Sequence, residues 1–512
     1  MSLRVSTNSM LDRLSIGSTN GYNPNPNDIR GRFMKNIIVL LIDTFRYDNL
    51  GNRAERPVRT PEIDAFAAKR ATSVEKFYMN SFPTIPHRTD FATGVLGWPH
   101  YGWQPIDVSG PNHVAKMLSQ QGYTTQLICD CPHLFNAGFQ HGFDAAFQHR
   151  GQEGDLPLLH LNDPIQEIVP LEKTRPGPSF NGHTLPNKHR WTNRYYELES
   201  ETFAAKTGTT TVRFLEENAN HNPFFLWVDF FDPHEPWDPP EYMVRRYDPD
   251  YDGAPMLHPN YGPSSVYTEA ELYNLWAHYA AESELVDRYI GRVLQKIDDL
   301  QLWEDSIVVV MADHGMSIGE HGRTGKSNIS SEDKRFWPIY PEIGHVPLLI
   351  AGGGVPKQQS LDLIAQPIDL LPTIFDLANV EIITEKRTDG ISFADQIRNS
   401  TTKHRDFAVS GCHIRAKGAR PQRATTPFLI THRWGYAPVG EDGSPELYDL
   451  TIDPLAKYNI ATDNLDIAAE LHQIFTSHLA DHHAPDEFLA LWQRSVGGQT
   501  GRGSWAVDYA DQ

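Results

Sequence analysis

Two uninterrupted apolar runs in this chain stop abruptly at acidic residues. The first, NIIVLLI, covers residues 36–42 and is followed by Asp43; the second, SIVVVMA, covers residues 306–312 and is followed by Asp313 and His314. Continuous runs of leucine and β-branched residues are typical of strands buried on both faces of a parallel sheet. Ligands of open α/β sheets bind at the carboxyl ends of the strands, so these polar residues are predicted to converge there.

Strand-like and helix-like segments alternate around these two runs. Further strands are predicted in YTTQLI, NPFFLWVDFF and HVPLLIAGGG, and helices in HVAKMLSQQ and YAAESELVDRYIGRVLQKIDDLQLW. Such a βαβ rhythm predicts an α/β fold with a largely parallel sheet.

The pattern changes after about residue 385. Short strand-like segments follow, namely DFAVSG, TPFLITHRWG and ELYDLTIDP, and then a helical segment, LDIAAELHQIFTSHLADHH. They predict a small antiparallel sheet closed by a helix. We therefore divide the chain into a polar N-terminal extension (1–34), a catalytic α/β domain (35–385) and a C-terminal α+β subdomain (386–512).

Composition limits the partners and the compartment. The 512 residues include 45 Lys and Arg against 65 Asp and Glu, a net charge of −20, which disfavours nucleic acid and anionic membranes as partners. Any anionic substrate must therefore be met by local positive charges. Three cysteines are too few for a disulfide framework, and no signal peptide is evident, so a cytoplasmic location is expected. Homo-oligomerisation is left open.

A hydroxyl in the stretch NSFPTIPHRTDFATG (80–94) suggests catalytic chemistry. Asp43, Asp313 and His314 offer oxygen and nitrogen ligands to a divalent ion, and Thr84 could complete that set. Arg88, one helical turn later, could bind an anion with its planar guanidinium group. The same letters also fit a helix N-cap followed by proline and a surface arginine. Local sequence leaves both interpretations open.

From residue 36 onward the chain resembles the sulfatase branch of the alkaline phosphatase superfamily. Nine segments carry the resemblance in the family's order: NIIVLLIDTFRYDNLG, TPEIDAFAAK, TIPHRTDFATG, GYTTQLIC, FFDPHEPWDPP, ADHGMSIGEHG, HVPLLIAGGG, IDLLPTIFDLAN and ELYDLTIDP. The resemblance implies a three-layer sandwich around a mixed, mostly parallel sheet, with a small C-terminal subdomain. It also implies hydrolysis of an ester bond with the help of a divalent metal ion.

The resemblance implies roles for individual residues. The positions that match the family's metal ligands are Asp43, Thr84, Asp313 and His314. Thr84 also matches the nucleophile and Arg88 the arginine that orients it, while Lys326 and His234 match substrate and leaving-group contacts. Mn²⁺ or Ca²⁺ is expected ahead of Zn²⁺ because most of these ligands are oxygen atoms. Arg88 and Lys326 are expected to face one substrate anion from two sides.

Three departures from the sulfatase pattern change the expected substrate. Thr84 stands where sulfatases carry the Cys or Ser that matures to formylglycine, Thr44 replaces their second Asp, and His314 replaces their Asn. These changes favour phosphate or phosphonate esters, especially small, singly charged, diester-like substrates. The alternatives are a sulfatase that uses unmodified Thr84, and a non-catalytic protein that binds anionic glycans or lipid head groups.

Other residues are open to both functional and structural interpretations. Asp130 and His133 are predicted as substrate contacts. His345 could contact the substrate or a second cation, or could be a hydrogen-bonded structural residue. Asp229 could join His234 in a second metal site, or could cap a turn.

Overall fold

The computed structural model describes residues 34–489 except for short gaps. These gaps fall at 104, 106–112, 154, 156–163, 175–181, 328–332, 334, 383–387, 413–424 and 487. The predicted N-terminal extension, apart from Met34, and the last residues of the predicted C-terminal subdomain lie outside the described residues. The described residues from Met34 onward form one compact unit, and the predicted boundary at residue 385 stays a prediction.

The strands are, in chain order, β1 (Asn36–Ile42), β2 (Thr72–Phe77), β3 (Ser81–Phe82), β4 (Thr124–Cys129), β5 (Ala145–Gln148), β6 (Phe224–Phe230), β7 (Gly262–Pro263), β8 (Ser306–Ala312), β9 (Ser317–Ile318), β10 (Arg323–Gly325), β11 (Trp337–Pro338), β12 (Leu348–Ala351), β13 (Gln359–Ala365), β14 (Phe407–Cys412), β15 (Thr425–Thr426), β16 (Phe428–Thr431), β17 (Trp434–Ala437) and β18 (Glu446–Asp449).

The α-helices are α1 (Pro61–Lys69), α2 (Thr84–Thr93), α3 (Val114–Ser119), α4 (Pro132–Asn136), α5 (Leu185–Thr192), α6 (Phe203–Asn218), α7 (Glu241–Tyr247), α8 (Glu269–Asp299), α9 (Pro341–Gly344), α10 (Leu370–Ala378), α11 (Ala394–Asn399) and α12 (Leu465–Asp481). None of the helices in the described ranges combines the length and the apolar character that a membrane span requires.

An eight-stranded sheet forms the centre of the molecule, in the order β13-β2-β12-β8-β1-β6-β4-β5. All neighbouring pairs are parallel except those of β12, which is antiparallel to both β2 and β8. The α/β class and the mixed, mostly parallel sheet are thus confirmed. The two apolar runs that open the sequence analysis are β1 and β8, whose residues are all buried.

Two groups of helices pack around this sheet. Helices α1, α6 and α7 contact α8, and α6 also contacts β4 and β6. Helices α2 and α11 contact α10, which contacts β1 and β8. Long β-branched and aromatic side chains from the strands join both groups in one apolar core. The sequence predicts this layered arrangement because β1 and β8 are apolar after their first residue, and β6 is apolar except for Asp229.

A second sheet has the order β18-β17-β16-β14-β3. Within this sheet the neighbouring pairs β14–β16, β16–β17 and β17–β18 are antiparallel, as predicted for the C-terminal segments. Helix α12 contacts β17. β3, from the N-terminal part of the chain, extends this sheet parallel to β14, with Ser81 opposite Gly411. A Cβ atom on Gly411 would lie 2.1 Å from the ring of Trp98, so the close approach requires glycine. The segment that leads into α2 is therefore fixed to the C-terminal sheet.

Candidate active site

Strand register brings the two predicted strand-end aspartates together. β1 and β8 are parallel neighbours with Ile42 opposite Ala312, so the next residue of each strand, Asp43 and Asp313, emerges at the same edge. Both aspartates are fully buried. His314 follows directly, and ligand atoms of Asp43, Asp313 and His314 all lie within 4.8 Å of one another.

The imidazole of His314 indicates that this group is built for a cation. Its Nδ1 lies 3.1 Å from the carbonyl oxygen of Gly315, which makes Nδ1 the donor and leaves a lone pair on Nε2. Nε2 has no hydrogen-bond partner among the residues that the structure describes, and it lies 3.7 Å from an Asp43 oxygen and 3.5 Å from an Asp313 oxygen. Burial lowers the pKa of His314 to about 4, so its ring is neutral at pH 7. A buried lone pair that faces two carboxylates suits a divalent metal ion.

The pKa values of the two aspartates agree with this interpretation. Burial and the charge of Asp313 raise the pKa of Asp43 well above its ordinary value. Burial opposes ionisation of Asp313 as well, but His314 and Arg88 together lower its pKa. Both carboxylates can therefore be ionised at low cost only when a further positive charge lies between them.

Arg88 lies beneath these carboxylates and is completely buried. Its Nε and Nη2 bind the carboxylate of Asp229 at 2.8 and 2.7 Å, Nη2 also reaches Asp43 at 3.1 Å, and Nη1 reaches Asp313 at 2.6 Å. The remaining Nη1 donor binds the backbone oxygen of Thr84 at 3.0 Å. All five N–H donors of the guanidinium group are thus used. The expectation that Arg88 faces the substrate anion is not met, because every donor points at protein oxygens.

Thr84 is the first residue of α2 and is 2% exposed. The helix has Pro83 rather than a threonine as its N-cap and ends at Gly94, which has a φ of 65°. Asp90 fixes the position of the helix, because its carboxylate accepts hydrogen bonds from the backbone N–H groups of Ser81 and Gly97. Thr84 therefore lies at a fixed helix start. Arg88 joins this start to Asp313, because its Nη1 bonds both the backbone oxygen of Thr84 and the carboxylate of Asp313.

Lys326 reaches the metal group through Thr44. Its Nζ lies 3.0 Å from Thr44 Oγ1, and that hydroxyl donates to Asp43 at 2.8 Å. Nζ also lies 3.2 Å from the carboxylate of Glu235, which is fully buried. Burial opposes the ionisation of Glu235, yet His234 and Lys326 lower its pKa to about 2. Lys326 is thus a buried cation beside the metal ligands, where a substrate anion would need it.

His234 is buried next to this pair. Its Nδ1 lies 2.7 Å from the carbonyl oxygen of Glu235 and therefore carries the proton, and its ring stacks on Phe231 at 4.1 Å. Burial lowers the pKa of His234 to about 3. In the resting protein Nε2 of His234 is therefore a proton acceptor. The predicted role of His234 in leaving-group or substrate contacts stays a prediction.

Two predicted substrate contacts have structural partners. Asp130 is fully buried and accepts the N–H of Phe231 at 2.6 Å and the hydroxyl of Thr207 at 3.1 Å, so it holds two elements together. His345 is stacked between Tyr47 and Tyr78, and its Nε2 bonds the carbonyl oxygen of Glu75 at 2.8 Å. These partners give Asp130 and His345 structural roles, and their predicted contacts with substrate stay predictions.

Asp229 has neither of the roles considered for it. It lies within β6, not in a turn, and it accepts two bonds from Arg88 and one from Trp227 Nε1 at 3.0 Å. His133, by contrast, lies near His234, since its ring packs edge-on against Phe231 at 5.6 Å and its Nε2 is 2.6 Å from Glu153. Its predicted contact with substrate stays a prediction.

The sequence alone did not point to two residues of this site, Glu153 and Glu235, and it named Thr44 only as a departure from the sulfatase pattern. Glu235 directly follows His234, so adjacency to a predicted residue was the available signal. Glu153 had none, because it comes from a loop between distant elements. A cavity of about 620 Å³ is lined by residues such as Asp232, Asp238 and Glu282, and Asp43, Asp313 and His314 are not among its lining residues.

Comparisons with known proteins identify similar sequences. Residues 35–380 match the sequence profile of the Sulfatase family. Arylsulfatase K of Mus musculus is 23% identical over 90% of this chain and 84% of its own length. Delta 4,5-hexuronate-2-O-sulfatase of Bacteroides thetaiotaomicron is 32% identical over 37% of this chain and 38% of its own length.

Solved structures share the fold. The phosphonate monoester hydrolase of Agrobacterium radiobacter superposes with a TM-score of 0.66 at 20% identity, over 88% of this chain and 96% of that chain. BT1596, a 2-O GAG sulfatase, superposes with a TM-score of 0.62 at 20% identity, over 89% of this chain and 94% of that chain.

Fold and site together define the class of this protein as a hydrolase of ester bonds with an alkaline phosphatase-like architecture. The sequence match extends over more than half of the chain and settles the family. The chain belongs to the sulfatase family, whose members depend on a divalent metal ion, and the resemblance seen in the sequence motifs is confirmed.

Removing a metal ligand should abolish stabilisation by the ion. A divalent ion at a hundred times its Kd should stabilise the native protein by about 2.7 kcal/mol, and Asp313→Asn should lose that gain. Thermal unfolding with Mn²⁺ or with a chelator measures it. Asp130→Asn is the matched control, because Asp130 is equally buried but binds only protein donors. An undiminished Mn²⁺ shift in Asp313→Asn would place the ion elsewhere.

Loss of the buried guanidinium should be costly. Arg88→Met leaves the carboxylates of Asp43, Asp229 and Asp313 without their cation, and we expect a loss of about 3–5 kcal/mol in the free energy of unfolding. Urea denaturation followed by tryptophan fluorescence measures it. Arg245→Met is the control, because Arg245 forms an exposed pair with Glu241 and its removal should change stability by less than about 1 kcal/mol. Equal stability of the two variants would contradict the assignment.

Proposed function

We propose that this protein hydrolyses phosphate or phosphonate esters, preferably small singly charged ones of diester type, with Thr84 as the nucleophile. The observation that carries the proposal is a threonine at the buried start of α2, joined to the metal group through Arg88. The chemistry of that residue separates phosphoryl from sulfuryl transfer.

Threonine differs from formylglycine in the way its covalent intermediate can be released. A hydrated formylglycine has two hydroxyl groups, of which one attacks and the other helps to expel sulfate by cleaving a carbon–oxygen bond. Threonine has one hydroxyl, so water must attack the central atom of the intermediate. Attack by water at phosphorus is ordinary enzyme chemistry, whereas sulfur in an alkyl sulfate resists it. The residue type therefore favours a phosphorus ester.

The buried charges support a substrate with a modest negative charge. Four buried carboxylates contact two buried cations, Arg88 and Lys326; the carboxylates belong to Asp43, Asp229, Asp313 and Glu235. One divalent ion would make this group neutral. A monoanionic ester then adds one charge that Lys326 can contact, whereas a dianion would add two.

The chain's residues can be assigned to steps on this basis. Asp43, Asp313, His314 and Thr84 would hold the ion, which supplies Lewis-acid activation of the hydroxyl and of the ester oxygens. Arg88 is a positioning residue, since it fixes Thr84 relative to Asp313. Lys326 binds the anionic oxygens, and His234 Nε2 accepts a proton and can return it to the departing oxygen.

A sulfatase that uses unmodified Thr84 is the second candidate. The names of the relatives favour it, since both arylsulfatase K and the hexuronate-2-O-sulfatase act on sulfate esters by name. A panel of matched aryl sulfates, phosphodiesters and phosphonate monoesters separates the two candidates.

The metal and the compartment are also proposals. We propose Mn²⁺ ahead of Ca²⁺, because His314 adds a nitrogen ligand to an otherwise oxygen-rich group, with Zn²⁺ as a further candidate. A cytoplasmic location is proposed from the small number of cysteines.

Thr84→Ala should abolish turnover while leaving the metal-induced rise in Tm largely intact, because Asp43, Asp313 and His314 remain. Mass spectrometry of the peptide containing Thr84 should find the residue unmodified, and phosphorylated after rapid quenching with substrate. Thr89→Ala is the matched control, since the Thr89 hydroxyl only donates to a carbonyl of its own helix at 2.8 Å. Aryl sulfates turned over faster than every phosphorus ester in the panel would overturn the proposal.

Lys326→Met should lower kcat/KM by a factor that corresponds to about 2.7–4 kcal/mol of transition-state stabilisation, the range for one oxyanion donor. Steady-state kinetics on one phosphodiester measures it. Lys173→Met is a suitable control, because Lys173 is likewise paired with a glutamate, Glu271, but the hydrogen-bond partners of its Nζ in the described part of the chain, Glu271 and Val266, do not belong to the candidate site. Full activity of Lys326→Met on every substrate would remove Lys326 from the mechanism.

A further inference from the structure

A cavity of about 620 Å³ borders the loop that carries His234. Asp232 and Asp238, which flank His234 in this loop, line the cavity, whereas His234 itself does not. The rings of Tyr196 and Phe203 form part of the wall and pack edge-on against each other, with 5.6 Å between their centres. Pockets that bind small organic molecules have volumes of about 300–1,000 Å³. This cavity is therefore large enough for such a ligand.

Helix α8 presents one row of polar side chains to the cavity. The row consists of Asn274, His278 and Glu282, which are four residues apart and so lie on the same face of the helix. Nδ1 of His278 bonds the carbonyl oxygen of Asn274 at 2.9 Å, and the side chain of Asn274 donates to Asp248 at 3.0 Å. Glu282 is only 4% exposed, and its Oε2 is buried with no hydrogen-bond partner among the residues that the structure describes. A buried carboxylate oxygen needs a donor, so this position is incomplete.

Two further carboxylates add negative charge to this cavity without satisfying Glu282. The oxygens of Asp232 accept hydrogen bonds from the side chain of Gln152 and from a backbone N–H of α6, the latter at 3.1 Å. An oxygen of Asp238 lies 3.2 Å from Nε2 of His189. Burial and the charges of Asp232 and Asp238 raise the pKa of Glu282 well above its ordinary value. The ionised form of Glu282 therefore requires a positive charge close by.

The charges that line the cavity favour a cation. Arg245, one of the cations of the lining, is already paired with Glu241. The long-range field of a protein with a net charge of −20 also attracts cations rather than anions. Seven carboxylates line the cavity against three guanidinium groups; the carboxylates belong to Glu197, Asp232, Asp238, Glu241, Asp248, Asp252 and Glu282, and the guanidinium groups to Arg190, Arg194 and Arg245.

We propose that this cavity binds the protonated amino group of a small organic molecule, with the carboxylate of Glu282 as its acceptor. An ammonium group supplies a positive charge and N–H donors together, and hydrogen bonds between charged partners are roughly twice as strong as neutral ones. The rings of Tyr196 and Phe203 offer an apolar surface to the remainder of the ligand. The inference goes beyond the proposed function and does not depend on the reaction of Thr84.

A metal ion fits this cavity less well than an organic cation. Among the described residues, the only group of three or more His, Cys, Asp or Glu ligand atoms within 4.8 Å of one another is that of Asp43, Asp313 and His314. The carboxylates of the cavity therefore do not converge closely enough to surround a dehydrated metal ion. An ammonium group needs only one close carboxylate, and the body of the ligand occupies the rest of the volume.

Two pairs of ligands test the proposal by isothermal titration calorimetry with the full-length protein. Tyramine and tyrosol share an aromatic body and differ only in an amino or a hydroxyl group, and 6-aminohexan-1-ol and 1,6-hexanediol form the corresponding aliphatic pair. We expect the amine of at least one pair to bind at least about tenfold more tightly than its neutral counterpart. The pair with the larger preference identifies the kind of body that the cavity accepts.

Glu282→Gln should abolish this preference, because it removes the charge and keeps the shape of the side chain. The Tm without ligand should not fall, since the substitution removes a buried charge that has no partner. Glu282→Asp should keep part of the preference. Glu284→Gln is the matched control: Glu284 lies on the same helix and is 5% exposed, but its carboxylate accepts a hydrogen bond from the hydroxyl of Tyr247 at 2.9 Å and does not line the cavity.

Equal binding of the amines and their neutral counterparts to the wild-type protein would overturn the proposal and would mean that a proton neutralises Glu282 instead. So would the absence of binding by both amines. A preference for the amines that survives in Glu282→Gln, or that is lost equally in Glu284→Gln, would also contradict the assignment. None of these measurements requires turnover, so a failure of the proposed hydrolysis leaves this test intact.

Discussion

The guanidinium group of Arg88 is the interaction on which the site depends. It is surrounded by carboxylates from three parallel strands, β1, β6 and β8, at positions Asp43, Asp229 and Asp313. Without it three buried negative charges would repel one another at the edge of the sheet, in surroundings where repulsion is weakly screened. A lysine could not replace it, because an ammonium group cannot supply five donors in the required plane. The same side chain binds the backbone of Thr84, so the position of the proposed nucleophile and that of the candidate metal ligands are set together.

Charge balance then explains the remainder of the site. Arg88 and Lys326 leave the four buried carboxylates with an excess of negative charge, and the bare Nε2 of His314 faces that excess. A divalent ion would supply the missing charge. Thr44 accepts a hydrogen bond from Lys326 and donates one to Asp43, so it joins the charge of Lys326 to this group.

The sequence predicts well those features that follow from chain periodicity. The apolar runs predicted β1 and β8, and parallel register carried Asp43 and Asp313 to one edge. The strand at HVPLLIAGGG was predicted as well, but its antiparallel direction was not, because apolar patterning carries no information about direction. Domain assignment from the change of pattern near residue 385 could not foresee that β3 joins the C-terminal sheet, since a two-residue strand has no periodicity.

Side-chain partners were less predictable. Arg88 was expected to meet the substrate, yet three strands that are far apart in sequence satisfy all its donors. Asp130 and His345 looked functional because polar residues beside buried strands often are, but long-range backbone partners satisfy them.

The nucleophile segment is held from two sides, and this gives the C-terminal sheet a place in the chemistry. β3 pairs with β14 directly before the chain enters α2, while Arg88 ties the start of α2 to the central sheet. A displacement of β14 would therefore reach Thr84 through a single residue of intervening chain, Pro83. Because reacting atoms must lie within a few tenths of an ångström of their productive positions, the proposed function makes the packing of Trp98 against Gly411 important for turnover, although neither residue belongs to the group formed by Asp43, Asp313 and His314.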